Sequence, residues 1–257
     1  MKNKTEIVNW SNDLTDLPFK GFTAVELDIF LAVCYKCQRQ KTNLIKIPFS
    51  EIERLSFLDK YRYGKKRVGI NAESVSKKLL QMFFVDKDDN HYDCFTLFNR
   101  FYVDYTNNLI EVTVNEPFAY LLNGLKSNYT SIELMEHAQL ASTYSKAVYK
   151  KLRQFRNQKN PYWVVSMDDF RKLLCIPEGY RMCEIDNRVL AMVQKELSEL
   201  FTDLKITKLY AKPDGKRGRN KVSGFKFSYT ASQAEIQNKV RSSKLDDSEL
   251  DLDDIPF

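Results

Sequence analysis

The side chains with the clearest chemical potential in this sequence are clustered cations, and the first cluster lies on a predicted helix over residues 141–158. This stretch contains several Lys and Arg residues and no Asp or Glu. Exposed helices usually mix charges of both signs, so a wholly basic face indicates an anionic partner, of which duplex DNA is the first candidate. The predicted phosphate contacts on this helix are Ser145, Lys146, Lys150 and Arg153.

A second predicted helix, which Asp186 is expected to cap, carries side chains suited to reading bases. Arginine can bind guanine, and asparagine can bind adenine, through paired hydrogen bonds that discriminate by about 1–3 kcal/mol each. The alternative for Arg188 is a phosphate contact or a local structural role. The outward-facing residues predicted to read bases are Asn187, Arg188, Gln194 and Lys195.

Two further basic segments are predicted to touch DNA. A loop between the strand-like segments ITKLYAK and VSGFKFSY has a turn sequence at 213–215 and supplies the phosphate contacts Lys216, Arg217, Arg219 and Lys221. In the N-terminal half, a secondary DNA contact is one interpretation of a second basic set, and a solvated surface is the other. This set comprises Lys65, Lys66, Arg67, Ser74, Lys77 and Lys78.

Catalytic and metal-binding patterns find little support. His91 and His137 are far apart in the sequence, and no GxxxxGK[ST] loop occurs. Cys34 and Cys37 form a CxxC, but they lie within the apolar stripe of a predicted helix, which favours buried thiols over a zinc site. We therefore expect a binding protein rather than an enzyme, with no catalytic residue, no metal and no cofactor.

Composition agrees with a globular nucleic-acid-binding protein. The 257 residues are 43% hydrophobic and 13% aromatic, with a net charge of +6. Residues 245–257 contain six acids and no base, so the remainder carries +12, which is +6 with the six negative charges removed. The sequence contains no apolar run of about 18 residues and no apolar segment typical of a signal peptide at the N-terminus, so a cytoplasmic protein without membrane contact is expected.

The order of predicted elements indicates two copies of one small fold. IPFSEIERL (47–55) aligns with VSMDDFRKL (165–173), and each follows a long amphipathic helix and precedes another helix and a β-hairpin. This order is that of a winged helix, a helix-turn-helix followed by a hairpin. The predicted fold class is α+β: two tandem winged-helix domains, residues 1–130 and 131–230, with a flexible acidic C-terminal tail, residues 231–257.

Local patterns place the individual elements. A helix capped by Thr23, a strand over 44–49, a helix opened by a capping box at Ser50–Glu53, and a helix over 71–83 are predicted in turn. Strands are predicted between 92 and 115, a helix over 115–122, and a linking stretch from there to residue 140.

The second half resembles a known family. YSKAVYKKLRQFR, VSMDDFRKLL and DNRVLAMVQKEL, followed by a basic hairpin, resemble the replication initiators of theta-replicating, iteron-carrying plasmids. The resemblance implies that the C-terminal domain binds direct repeats in an origin, and that the N-terminal domain touches DNA and mediates dimerisation. It also implies an equilibrium between monomers that open the origin and dimers that repress or pair origins.

The last residues carry a second resemblance. DSELDLDDIPF is similar to the tail of bacterial single-stranded DNA-binding protein. That likeness implies a peptide that docks on a host replication protein through Asp253, Asp254, Ile255, Pro256 and Phe257. The alternative is an acidic tail that aids solubility or competes with DNA for the basic surface.

The resulting hypothesis is a sequence-specific, double-stranded DNA-binding plasmid replication initiator. It would bind repeated origin sites, promote origin opening and recruit host replication proteins through its C-terminal tip. Two alternatives remain: a double winged-helix transcription repressor, and a basic adaptor protein without sequence-specific DNA binding.

Overall fold

The structure is a computed structural model that describes residues 5–40, 44–58, 65–87, 90–123, 125, 128–211 and 221–230. Among these residues, no helix is both long and apolar enough to cross a bilayer. Three predicted phosphate contacts, Lys216, Arg217 and Arg219, and the predicted tail peptide Asp253 to Phe257 lie outside the described residues.

The N-terminal unit contains seven of the described strands and six of the described helices. Its described strand pairs, β1–β7, β2–β6, β5–β6 and β3–β4, are all antiparallel. Its elements are β1 (Ile7–Ser11), α1 (Asn12–Thr15), α2 (Ala24–Gln40), β2 (Leu44–Pro48), α3 (Phe49–Leu55), α4 (Lys65–Leu79), β3 (Phe83–Lys87), β4 (Tyr92–Thr96), β5 (Phe98–Asp104), β6 (Leu109–Val114), α5 (Glu116–Leu122), β7 (Tyr129–Glu133) and α6 (Leu134–Gln139).

The C-terminal unit repeats the order of helix, strand, helix, helix and hairpin. Its elements are α7 (Thr143–Phe155), β8 (Tyr162–Ser166), α8 (Met167–Leu173), α9 (Met182–Glu184), a π-helical turn (Ile185–Leu190), α10 (Ala191–Leu197), β9 (Lys205–Tyr210) and β10 (Val222–Ser228).

The start of α2 confirms one sequence prediction. The Thr23 backbone N–H donates to Glu26 Oε2 at 2.6 Å, and the Glu26 N–H donates to Thr23 Oγ1 at 3.3 Å. Such a reciprocal pair satisfies two N–H groups that have no partner within the helix. The predicted inner stripe of α2, which contains Leu27, Phe30 and Cys34, is buried.

Two boundaries predicted in the N-terminal unit are wrong. Helix α3 begins at Phe49, and its N-cap Pro48 makes no side-chain hydrogen bond, so the predicted capping box at Ser50 does not form. Helix α4 occupies 65–79 rather than 71–83, and Phe83 begins strand β3, which pairs with β4.

The predicted linking stretch before residue 140 contains β7 and α6. Strand β7 pairs antiparallel with β1, with Ile7 opposite Glu133 and Ser11 opposite Tyr129. Because the two strands are far apart in sequence, local periodicity carries no signal for their pairing. The predicted domain boundary at residue 131 falls within β7.

The described residues form two three-stranded sheets, one in each unit. One has the order β2-β6-β5 and the other β8-β10-β9, and both are antiparallel. In the second sheet, the inward faces of β8 and β10 bring Trp163 and Phe227 into a stacked pair with ring centroids 5.1 Å apart. Phe170 of α8 lies 4.7 Å from the Phe225 ring, which anchors α8 to the sheet.

Helix α7 joins the two units. It packs against α1, α2 and β7 on one side and against α10 and β8 on the other. Ser142 caps it by accepting hydrogen bonds from the N–H groups of Tyr144 and Ser145. Because it has neighbours on both sides, α7 buries most of its surface.

Candidate nucleic-acid interface

The third helix of the C-terminal unit is formed by α9, the π-helical turn and α10, and we call residues 182–197 the recognition helix. It starts earlier than predicted, where the Arg181 N–H donates to Glu184 Oε2 at 2.7 Å. Asp186, the predicted N-cap, lies inside the helix, and its carboxylate instead accepts a hydrogen bond from Lys208 Nζ at 2.7 Å. The prediction of Asp186 as the N-cap is therefore wrong.

The recognition helix buries one face and exposes the other, as its periodicity predicts. Its side chains Ile185, Val189, Val193 and Leu197 are buried in the C-terminal core. Three of the four predicted base contacts, Asn187, Arg188 and Lys195, are exposed.

Gln194, the fourth predicted base contact, is half-buried. Its amide nitrogen donates to the carbonyl oxygen of Leu204 at 2.9 Å and to Ser198 Oγ at 2.8 Å. Both amide hydrogens are therefore used within the protein. Asparagine and glutamine need one such hydrogen to bind adenine in the major groove, so this geometry does not support Gln194 as a base contact.

Arg188 is held in place by Tyr180, which no sequence pattern distinguishes from other aromatic residues. Arg188 Nη1 donates to Tyr180 Oη at 3.4 Å, and the guanidinium carbon lies 5.4 Å from the centre of the Tyr180 ring. Contact with the Tyr180 hydroxyl raises the pKa of Arg188. Tyr180 is itself fixed, because Arg171 Nη2 donates to its carbonyl oxygen at 2.6 Å.

The acids of the recognition helix are all engaged by neighbours. Glu184 binds the Arg181 N–H, Asp186 pairs with Lys208, and Glu196 accepts from the Ser142 N–H at 3.3 Å. The exposed charged side chains of this helix are consequently the two cations Arg188 and Lys195. An exposed helical surface with this balance suits contact with a polyanion.

A groove adjoins the N-terminal end of the recognition helix. It has a volume of about 690 Å³ and lies between α8, α9 and the hairpin strands β9 and β10. Lys221, a predicted phosphate contact, is exposed on its rim. The groove and the C-terminal end of the basic loop therefore lie beside Met182, Cys183 and Asp186, in the first turns of the recognition helix.

The prediction of an exposed cationic face on α7 is wrong. Lys146 and Ser145 are 0% exposed, Lys150 is 3% exposed and Arg153 is 8% exposed. The acids that α7 lacks are supplied by the N-terminal unit, including α6, so the anionic partner of this helix is the protein itself. These four residues are accordingly not phosphate contacts in this structure.

The contacts of α7 show how its charges are accommodated. Lys146 Nζ donates to Asp28 Oδ1 and to the carbonyl oxygen of His137, each at 2.6 Å. Arg153 Nη1 donates to Glu136 at 2.9 Å. Lys150 Nζ lies 4.2 Å from the centre of the Phe19 ring, a cation–π contact that partly replaces hydration.

Burial shifts the pKa values of this cluster. Desolvation, and next the charge of Lys146, lowers the pKa of His137 to about 4. Desolvation also lowers the pKa of Lys150 to about 7, with the neighbouring Lys151 acting in the same direction. His137 Nδ1 lies 2.7 Å from Asp28 Oδ1. The imidazole is therefore neutral at neutral pH and forms part of the joint between α2, α6 and α7.

The secondary set in the N-terminal unit is only partly exposed. Lys78 Nζ forms an ion pair with Glu26 at 2.6 Å, and the Ser74 hydroxyl donates to the same carboxylate. These two residues serve α2–α4 packing, which corrects their assignment as DNA contacts. Arg67 and Lys77 are exposed. Lys65 and Lys66 lie in the first turn of α4, and their side chains are outside the described part of the chain.

The cysteine pair in α2 forms part of the core. Cys34 and Cys37 are buried free thiols, and burial raises the pKa of Cys37 to about 12. Within the described ranges, no three His, Cys, Asp or Glu side chains are grouped so as to hold a metal ion.

Comparison with known proteins gives consistent matches. A family model described as "Initiator Replication protein, WH1" matches residues 7–153, and one described as "Initiator Rep protein, WH2" matches residues 166–229. The "Probable replication protein rep" of Bifidobacterium longum (strain NCC 2705) is 32% identical over 226 residues, which cover 87% of this chain and 72% of that protein.

One solved structure shares the fold over most of the chain. The crystal structure of Pi initiator protein in complex with iteron DNA has a TM-score of 0.66 to this chain at 12% identity. The match covers 90% of this chain and 99% of that one. At this level of identity the likeness concerns the fold alone.

Proposed function

The chain belongs to the family of plasmid replication initiator proteins, with the WH1 and WH2 winged-helix domains in tandem, and from this premise we propose that it binds repeated duplex sites in a replication origin. The C-terminal domain provides base recognition in this proposal. The recognition helix lies in the major groove, where Arg188, Asn187 and Lys195 contact base edges.

The observation that carries this proposal is the exposed face of the recognition helix. Its two exposed charges, Arg188 and Lys195, are both positive, while its three acids are bound by neighbours. Tyr180 restrains the Arg188 guanidinium without burying it. A restrained guanidinium loses less side-chain entropy when it forms a paired hydrogen bond with guanine.

Phosphate contacts then come from the hairpin and, secondarily, from the N-terminal domain. Lys221 is exposed beside the groove, and the sequence prediction assigns Lys216, Arg217 and Arg219 to the same loop. Arg67 and Lys77 are exposed among those members of the N-terminal set whose side chains the structure describes. Contacts of this kind set affinity and its salt dependence but carry no sequence information.

Origin opening, dimerisation and recruitment complete the proposal. Bending of the repeats would supply the energy that destabilises adjacent AT-rich DNA. The resemblance to plasmid initiators supports a homodimer in equilibrium with a monomer. The resemblance of the tail to that of single-stranded DNA-binding protein supports a host replication protein as the partner of Asp253 to Phe257. The terminal Phe257 ring would fill an apolar pocket on that host protein, and the acids would steer the encounter.

The DNA-binding proposal is tested with Arg188→Ala. We expect its affinity for the chain's own origin repeats to fall by about 1–3 kcal/mol, roughly 5- to 150-fold, with a much smaller loss on random duplex. Fluorescence anisotropy at several salt concentrations measures both affinities.

Arg100→Ala is the matched control for this substitution. Arg100 is also an exposed arginine above a tyrosine ring, 5.1 Å from the centre of the Tyr102 ring, but it lies on β5 of the N-terminal domain. Arg100→Ala should leave the ratio of the affinity for origin repeats to the affinity for random duplex unchanged. Equal losses on both DNAs for Arg188→Ala would reduce Arg188 to a phosphate contact.

The recruitment proposal is tested by deleting residues 253–257. The truncated protein should bind origin repeats with native affinity but fail to maintain a plasmid in cells. Plasmid maintenance by the truncated protein would exclude recruitment through this peptide.

Origin binding by the native chain without strand opening, assayed with a single-strand-specific nuclease, would instead support a transcription repressor.

A further inference from the structure

The outward face of the C-terminal sheet carries a group of cations that duplex recognition does not use. Lys205 of β9, Lys226 of β10 and Lys159, just before β8, are exposed around the Tyr162 ring, which is 50% exposed. Lys226 Nζ lies 5.1 Å from the centre of that ring. We call these four residues the sheet patch.

The sheet patch lies away from the predicted DNA-binding loop. In the β9–β10 pairing, Ser228 lies opposite Lys205 at one end, and Val222 lies opposite Tyr210 at the end where the basic loop joins. The patch borders the first of these ends, where a groove of about 360 Å³ separates Lys159 from Lys205. Duplex held by the recognition helix and the loop leaves these cations without an anionic partner.

The lysines of the sheet patch outnumber the acids beside them in the part of the chain that the structure describes. None of the three forms an ion pair with a described residue. Asp203 is the acid among the described residues that line the groove, and it accepts a hydrogen bond from the Thr230 hydroxyl at 2.9 Å, so three cations face one carboxylate. The patch therefore combines excess positive charge with an exposed aromatic ring and the neighbouring Val164 side chain, which is also 50% exposed.

A complementary segment follows in the same chain. Residues 245–257 contain six acids and no base, interspersed with Leu250, Leu252, Ile255 and Phe257. The described fold ends at Thr230, which lines the groove of the patch. The intervening 231–244 can span at most about 45 Å, which is ample to return an acidic segment to a surface beside its own attachment point.

We propose that the acidic segment 245–257 docks on the sheet patch of its own chain. Its carboxylates pair with Lys159, Lys205 and Lys226, and its apolar side chains cover Tyr162 and Val164. Each exposed ion pair is weak, but attachment at Thr230 gives the segment an effective concentration of the order of millimolar, so a weak contact is populated. Docking here keeps the acids off the recognition helix and keeps the tail peptide from a protein partner.

The test is amide NMR of the full chain against a variant whose tail acids are neutralised. The variant carries Asp246→Asn, Asp247→Asn, Glu249→Gln, Asp251→Asn, Asp253→Asn and Asp254→Asn. Shift changes should centre on Tyr162, Lys205 and Lys226. Salt of about 1 M, where the screening length is about 3 Å, should produce the same changes in the native chain. Changes centred on residues 187–195 instead, or no change in the folded part, would overturn the proposal.

A second pair of variants tests the same contact from the sheet side. Lys205→Glu combined with Lys226→Glu should move the resonances of Leu250 and Ile255 to the positions they adopt in high salt. Lys172→Glu, which reverses an exposed lysine on α8, should leave them in place. If tail resonances are unchanged in the double variant, the segment does not dock here.

Oligothymidine distinguishes the tail from a nucleic-acid ligand of the patch. Neutralising the tail acids should increase the affinity of the patch for this probe several-fold, because the competing segment is released. Equal affinity in the native and neutralised chains, with shifts at Tyr162 in both, would identify the patch as an unoccupied single-strand site and contradict the proposal.

Discussion

The contact between Lys146 and Asp28 allows a sharp test of how the two domains are joined. Lys146 is completely buried on α7, and its ammonium lies 2.6 Å from a carboxylate oxygen on α2. At an effective dielectric constant of about 20, opposite charges at this distance attract by about 6 kcal/mol. Desolvation offsets part of that attraction, and removing one partner of such a pair destabilises a protein by about 3–5 kcal/mol.

Lys146→Met should therefore lower the free energy of unfolding by about 3–5 kcal/mol, measured by urea denaturation at neutral pH. The substitution keeps the side-chain volume and leaves the Asp28 carboxylate buried without its cation. Lys151→Met is the control on the same helix. Lys151 is also buried, but it pairs with Asp16, whose side chain is 64% exposed. The carboxylate left behind is therefore hydrated, and the substitution should cost clearly less than Lys146→Met.

A small effect of Lys146→Met on stability would support the exposed cationic face of α7 that the sequence predicts. If Lys146→Met unfolds no more easily than Lys151→Met, the buried pair contributes nothing to the joint. If it also weakens binding to all DNA sequences and reduces the salt slope by about one unit, Lys146 is a phosphate contact. The buried arrangement of α7 would then be refuted.

Two further predictions concern His137 and Tyr180. Because burial lowers the folded-state pKa of His137 to about 4 from 6.5, its contribution to stability is complete above about pH 6.5 and declines by about 3 kcal/mol as the pH falls toward 4. His137→Asn should flatten the pH dependence of urea unfolding in that window, and an unchanged slope would contradict the assignment. Tyr180→Phe keeps the ring beneath Arg188 but removes the hydroxyl that accepts its hydrogen bond. It should reduce the preference for origin repeats about 2- to 5-fold in competition binding, whereas an unchanged preference would show that the hydroxyl does not position Arg188.

Elements specified by local sequence were predicted well. The capped helix at Thr23, strand β2 and the β9–β10 hairpin are all confirmed. The two tandem winged-helix domains and the initiator family are also confirmed. Each of these features depends on residues a few positions apart, or on a pattern shared with relatives.

Long-range contacts explain the predictions that were wrong. The sequence predicts a solvent-exposed basic face on α7 because no acid lies near it along the chain, yet its partner Asp28 lies 118 residues from Lys146. The same limitation applies to Ser74 and Lys78, whose partner Glu26 belongs to another helix. A cluster of cations indicates an anionic partner, but sequence alone does not tell whether that partner is DNA or the rest of the fold.

Short-range competition explains the other differences. Asp186 has the side chain of an N-cap, but Arg181 and Glu184 start the helix more than one turn earlier and leave Asp186 to pair with Lys208. Nothing about the position of Tyr180 relative to Pro177 and Gly179 distinguishes it from any aromatic residue near a turn. Its role depends on the direction in which Arg188 points.

The most direct test of sequence-specific recognition is a salt-titrated comparison of the native chain on its own origin repeats and on random duplex of equal length. Binding to the repeats should be about 10³-fold tighter or more near physiological salt, and binding to random duplex should weaken as salt rises. Equal affinity for the two duplexes at every salt concentration would contradict sequence-specific recognition.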